Sequence, residues 1–78
     1  MSTYQLDARR LLCPMPVIKV QNRVNELVAG DILEVVCTDP GALNDVPAWC
    51  RINGHTVLSA EQDDDLVKII LQIGITDE

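Results

Sequence analysis

A chain of 78 residues with 12 acidic side chains against 6 Lys and Arg carries a formal net charge of −6. That balance argues against gripping a nucleic-acid backbone with a broad basic surface, and an aromatic share of 3%, with Tyr4, Trp49 and no Phe, leaves no platform for stacking several bases. The 47% hydrophobic content fits one globular domain over residues 1–78 with an aliphatic core; no apolar run approaches the roughly 18 residues of a membrane span, and the first seven residues show no signal peptide.

Residues 3–7 alternate, Tyr4 and Leu6 against Thr3, Gln5 and Asp7, which predicts a short strand; residues 8–12 form a loop leading to Cys13. From Pro14 to Val28 the period changes. Val17, Val20, Val24, Leu27 and Val28 recur at steps of three and four, with Lys19, Asn22, Arg23 and Glu26 opposite, the pattern of an amphipathic helix that Gly30 stops. Residues 32–37 predict a strand with Leu33, Val35 and Cys37 on one face. A strand–helix–strand unit crosses over right-handed, so these two strands are expected to be parallel.

Asp39-Pro40-Gly41 marks a turn or a helix start. Pro47 disrupts a helix interior, so the second helix is expected to start with Asp45 as cap, placing Pro47 in the first turn. Asn53-Gly54 ends it. Residues 55–60 then predict a strand, 61–65 a polar turn, and 66–73 a strand with Val67, Ile69, Leu71 and Ile73 on one face. The order β-α-β-α-β-β predicts an α/β two-layer sandwich, with two helices on one face of a four-stranded mixed sheet.

The stretch Cys13-Pro14-Met15-Pro16 holds the most chemistry. Two prolines so close are tolerated only in the first turn of a helix, where the N–H groups have no intrahelical partner. Pro14 and Pro16 therefore fix the helix start and place Cys13 at or just before the N-cap. A thiolate there is stabilised by exposed amides and the helix dipole. The effect is modest, because only the Met15 and Val17 amides remain near the sulfur. Charge acts the same way: residues 1–30 carry a net +2 and residues 31–78 a net −8.

A cysteine hydrolase needs a base, and the lone histidine, His55, is expected far from the first helix's N-terminus. A dithiol mechanism needs Cys-x-x-Cys, which is absent, and a zinc site from Cys13, Cys37, Cys50 and His55 lacks any close cysteine pair. No metal and no cofactor is called for. What remains is single-thiol chemistry, in which sulfur accepts a group and yields it to another thiolate. Such a protein turns over only with partners, so "carrier" describes it better than "enzyme". The alternative is a regulatory, redox-sensing interaction module in which Cys13 senses oxidation or merely caps a helix.

Cys-Pro-x-Pro at a helix start, preceded by Leu6-Asp7-Ala8, resembles the TusA/SirA-type sulfur carriers. The resemblance continues in Thr38-Asp39-Pro40, in the segment from Asp45 through Pro47 and Trp49 to Cys50, and in Gly54-His55, and covers essentially the whole chain. It implies the same sandwich and a persulfide on Cys13. The donor it implies is a cysteine desulfurase or a rhodanese-like protein, and the acceptor another sulfur relay protein, on the way to tRNA 2-thiouridine or in cytoplasmic sulfur oxidation. The charge balance argues against direct nucleic-acid contact, and three cysteines, an odd number, without an export signal read as a reduced, cytoplasmic protein; nothing demands more than a monomer. The chain departs from the family at Arg10, often Gly, at Leu12, basic in some members, and at Met15, often Glu in the tRNA-modifying ones.

Arg9, Arg10, Met15, Lys19 and Arg23 are candidates for partner docking, although Arg9 and Arg10 read equally as solvated loop residues. Cys37 and Cys50 are expected in the core, His55 at a strand edge, and Asp63-Asp64-Asp65 in a solvated turn. Trp49 is either a partner anchor or packed on the sheet.

Overall fold

Period-two alternation builds the sheet. In the computed structural model, which describes residues 2–12 and 15–74, β1 (Thr3–Ala8) turns Tyr4, Leu6 and Ala8 toward the core. β2 (Ile32–Cys37) buries Leu33, Val35 and Cys37, and β4 (Leu66–Gln72) buries Val67, Ile69 and Leu71. With β3 (Thr56–Asp63) they form one sheet in the order β1-β2-β4-β3. β1 and β2 are parallel, Thr3 opposite Ile32 and Ala8 opposite Cys37; the other pairs are antiparallel. Helix α1 (Met15–Val24) lies over β1 and β2, and helix α2 (Ala42–Ile52) over β3 and β4. Val20 and Val24 from α1 and Ala42, Val46 and Cys50 from α2 close the core against the sheet. Fold class, element order and the parallel first pair are those expected from sequence.

The boundaries differ in three places. Helix α1 ends at Val24 rather than Val28. Past Asn25 the chain tightens into three-residue turns, Glu26 N–H to Arg23 O and Leu27 N–H to Val24 O, both at 3.0 Å. The buried carboxylate of Asp31 then takes the Val28 N–H at 3.1 Å, and Val28 is left 67% exposed. Gly30 turns the chain at φ +94°, where glycine alone is unstrained.

Helix α2 starts at Ala42, not after Asp45. Asp39 sets this start: its Oδ1 accepts the Gly41 N–H and its carbonyl the Ala42 N–H, each at 3.0 Å. Three-residue bonds from Leu43 and Asn44 carry the turn onward, so Asp45 lies in the first turn and Pro47 in the second. Pro47 cannot donate to the Leu43 carbonyl, and its ring is buried instead.

The polar turn expected over 61–65 shrinks to two residues. Pairing runs to Asp63 opposite Leu66, and Asp64 turns the corner at φ +56°. Asp is among the few residues that tolerate that conformation.

Candidate functional site

The parallel pairing of β1 and β2 brings two loops to one end of the sheet, the loop after Ala8 that leads into α1 and the loop after Cys37 that leads into α2. Cys13 and Pro14 lie outside the described residues, so the site is built from their neighbours. Met15 N–H donates to Leu12 O at 2.8 Å. One of the two amides expected beside the sulfur is therefore already engaged. Pro16 is fully buried and fixes the first turn of α1 to the core. Leu12, Met15 and Ile18 are exposed by 77%, 47% and 40%, an apolar collar about the helix start.

The loop is ordered from both sides. Asp7 accepts Arg9 Nε–H at 2.9 Å, Nη2–H at 3.0 Å and the Arg9 backbone N–H at 3.0 Å. The Arg9 guanidinium holds the Asp7 carboxyl well below the usual carboxylate range, and Asp7 raises Arg9 in return. Arg10 follows at φ +67°, and its N–H donates to the Thr38 hydroxyl at 2.9 Å. No signal in the sequence marks that bond, which joins residues 28 apart.

The five candidate docking residues separate. Arg9, Arg10, Met15 and Lys19 are exposed at or near this loop. Arg23 is half-buried, with its guanidinium carbon 5.1 Å from the centre of the Tyr4 ring and an Nη1–Oε1 contact of 2.7 Å to Glu26. It ties α1 to β1, and nothing groups it with the loop. Arg9 is neutralised by Asp7, whereas among the described residues neither Arg10 nor Lys19 forms an ion pair.

The other candidates lie apart. Cys37 and Cys50 are fully buried. Burial pushes both thiols up, Cys50 to about 11, away from thiolate chemistry at neutral pH. His55 is no strand-edge residue: it is buried in the turn before β3, its ring stacked on Trp49 with centroids 5.2 Å apart. Trp49 is thereby half-buried in packing. Both line a cavity of about 510 Å³ with Val24, Asn53 and Ile73, at the C-terminal end of α1. That is the end of the sheet opposite the Cys13 loop, as expected, so His55 is not placed to serve as a base there.

The charge reading needs correction. Because β3 and β4 turn at the same end of the sheet as Ala8 and Cys37, the tip with Asp63, Asp64 and Asp65 faces the same side as the Cys13 loop. The end is bipolar, not simply basic. β1 and β3 lie three strand spacings apart, about 14 Å. With screening over about 8 Å at physiological salt, the acids reach the loop only weakly.

Residues 4–73 match the family described as sulfurtransferase TusA. The chain is 45% identical over 69 residues to YrkI of Bacillus subtilis (strain 168), provisionally named a sulfur carrier protein, covering 88% of this chain and 92% of that one. It is 41% identical over 58 residues to the sulfur carrier protein TusA of Pseudomonas putida (strain GB-1), covering 74% and 72%. The crystal structure of the SirA-like protein from Desulfitobacterium hafniense superposes with a TM-score of 0.78 over 92% of this chain and 99% of that one; at 22% identity the likeness is one of fold.

Proposed function

This chain belongs to the TusA family of sulfurtransferases, and from that premise we propose that Cys13 is the position on which it carries sulfur. The chain is a sulfur carrier. The observation that supports Cys13 is one of elimination: Cys37 and Cys50 are sealed in the core with raised thiol pKa values. The described residues nearest Cys13 in the chain, Leu12 and Met15, are exposed at the start of α1.

The Cys13 thiolate attacks the outer sulfur of a donor persulfide. A new S–S bond forms at Cys13, the donor's S–S bond breaks, and the donor leaves as a thiolate with the electron pair. Transfer to the acceptor repeats the step in reverse sense, with no net oxidation and no outside reductant. Pro16, buried in the first turn of α1, holds the helix start, and the exposed Arg10 and Lys19 favour the anionic forms of the sulfur.

A carrier of this family works between a donor and an acceptor protein. The donor we propose is a cysteine desulfurase or a rhodanese-like protein, and the acceptor a further sulfur relay protein, in tRNA thiolation or in sulfur oxidation within the cytoplasm. No helix among the described residues is long and apolar enough to cross a membrane. Leu12, Met15 and Ile18, beside Arg10 and Lys19, are the surface against which such partners dock.

The test is intact-mass spectrometry of the reduced protein after incubation with a cysteine desulfurase and cysteine, or with a rhodanese and thiosulfate. A gain of one sulfur atom, reversed by dithiothreitol and absent in Cys13→Ser, supports the proposal. Undiminished loading of folded Cys13→Ser contradicts it.

A further inference from the structure

A left-handed backbone at a long, charged side chain is costly, and Arg10 adopts it at φ +67°. Glycine would hold the same turn without strain. The conformation is kept by the Thr38 hydroxyl, which accepts the Arg10 N–H at 2.9 Å from the loop after β2. Strain of this kind gathers at functional positions, where surrounding structure maintains it. The neighbouring charge of Arg9 is spent on Asp7, while the exposed Arg10 forms no ion pair among the described residues. Arg10 is thus an uncommitted cation held two residues ahead of the Leu12–Met15 turn that brackets Cys13.

We infer that Arg10 is a specificity-determining residue that selects anionic or acid-flanked sulfur partners for exchange at Cys13, and that Thr38 is the positioning residue that holds it in place. The inference rests on Cys13 being the reactive thiol. A cation near the approach path raises the encounter rate of anionic partners and lowers that of cationic ones, and salt erases both effects. A shift in the Cys13 thiolate fraction would instead change both rates together, so the ratio of the two isolates the selection.

The test uses two small symmetric disulfides, dithiodiglycolate with carboxylate arms and cystamine with ammonium arms. Cys13 thiolate attacks one sulfur of either reagent, a mixed disulfide forms, and the other half leaves as a thiolate; intact mass follows the product. At about 10 mM salt the wild-type ratio of dithiodiglycolate to cystamine rates is expected to fall about threefold in Arg10→Gly and Arg10→Asn, and to be kept in Arg10→Lys. Gly and Asn both suit the left-handed backbone, so both variants are also expected to melt higher, Arg10→Gly by about 4 °C. Thr38→Val is expected to lower the ratio in the same direction, with recovery in Thr38→Ser. At about 500 mM salt the differences disappear.

A ratio unchanged in Arg10→Gly and Arg10→Asn, with Cys13 still reacting, overturns the inference alone. A wild-type protein that forms no mixed disulfide at Cys13 with either reagent overturns both the inference and the carrier reading on which it rests.

Discussion

The N–H of Gly74 donates to Nδ1 of His55 at 3.0 Å, so the chain beyond β4 is fastened to the turn before β3 by an imidazole that must accept. The ring is therefore neutral, with its proton on Nε2. Burial holds its pKa below the ordinary value of about 6.5. Among the described residues, no charged side chain lines the cavity on which it borders.

The sign follows from linkage. Below about pH 6.5 the unfolded chain binds a proton that the folded chain refuses, so stability present above that pH is lost as pH falls toward the folded-state value. Urea midpoints measured from about pH 7.5 to 5.5 are expected to decline in the wild type. In His55→Gln the decline over this range should shrink to what the carboxylates alone contribute.

Gly74 is also fixed by space. A Cβ placed there would lie 1.7 Å from the Gly54 carbonyl oxygen, a backbone atom that cannot swing aside. Gly74→Ala is expected to cost about 1–3 kcal/mol in chemical denaturation. A loss below a few tenths of a kcal/mol would show that the His55–Gly74 closure is loose.

The two core thiols should be silent in the native state. Iodoacetamide at about pH 8 is expected to modify Cys13 alone, with Cys37 and Cys50 reacting only in denaturant. Cys50→Ser should destabilise by about 1–3 kcal/mol, since a hydroxyl would be left in an apolar site, and should leave sulfur loading intact.

Arg23 separates structure from docking. Arg23→Ala removes the contact over Tyr4 and is expected to cost about 0.5–1 kcal/mol. Its sulfur loading rate should match the wild type. A large rate loss without a change in melting would return Arg23 to the docking surface.

Much of the fold was legible because alternation in β2 and β4 and the stops at Gly30 and Gly54 are local signals. Each error has a non-local or compensating cause. Val28 fits the helical stripe, but the carboxylate of Asp31 draws its N–H out of the helix. Pro47 argues against a helix interior, but a buried ring and an Asp39-led first turn accommodate it. His55 looked like a strand residue because its partners, Trp49 and Gly74, are visible only after folding. The charge halves misled because the sheet returns the acidic tip after β3 to the end that holds the basic loop.

The site itself was readable in part. The Cys-Pro-x-Pro pattern predicts a helix start, and the helix that begins at Met15 with a buried Pro16 agrees with it, while Cys13 itself lies outside the described residues. The bond from Arg10 to Thr38 was not readable, since nothing local in either residue announces a contact across the sheet end.

The most direct measurement is peptide-level localisation of the sulfur. The Cys37→Ala, Cys50→Ala double variant and the wild type would be loaded by a desulfurase with cysteine, blocked by alkylation and digested. A single added sulfur on the peptide containing Cys13, to the same extent in both proteins, is the predicted result. Sulfur on Cys50 or Cys37 peptides, or loss of loading in a folded double variant, would contradict a carrier that works through one thiol.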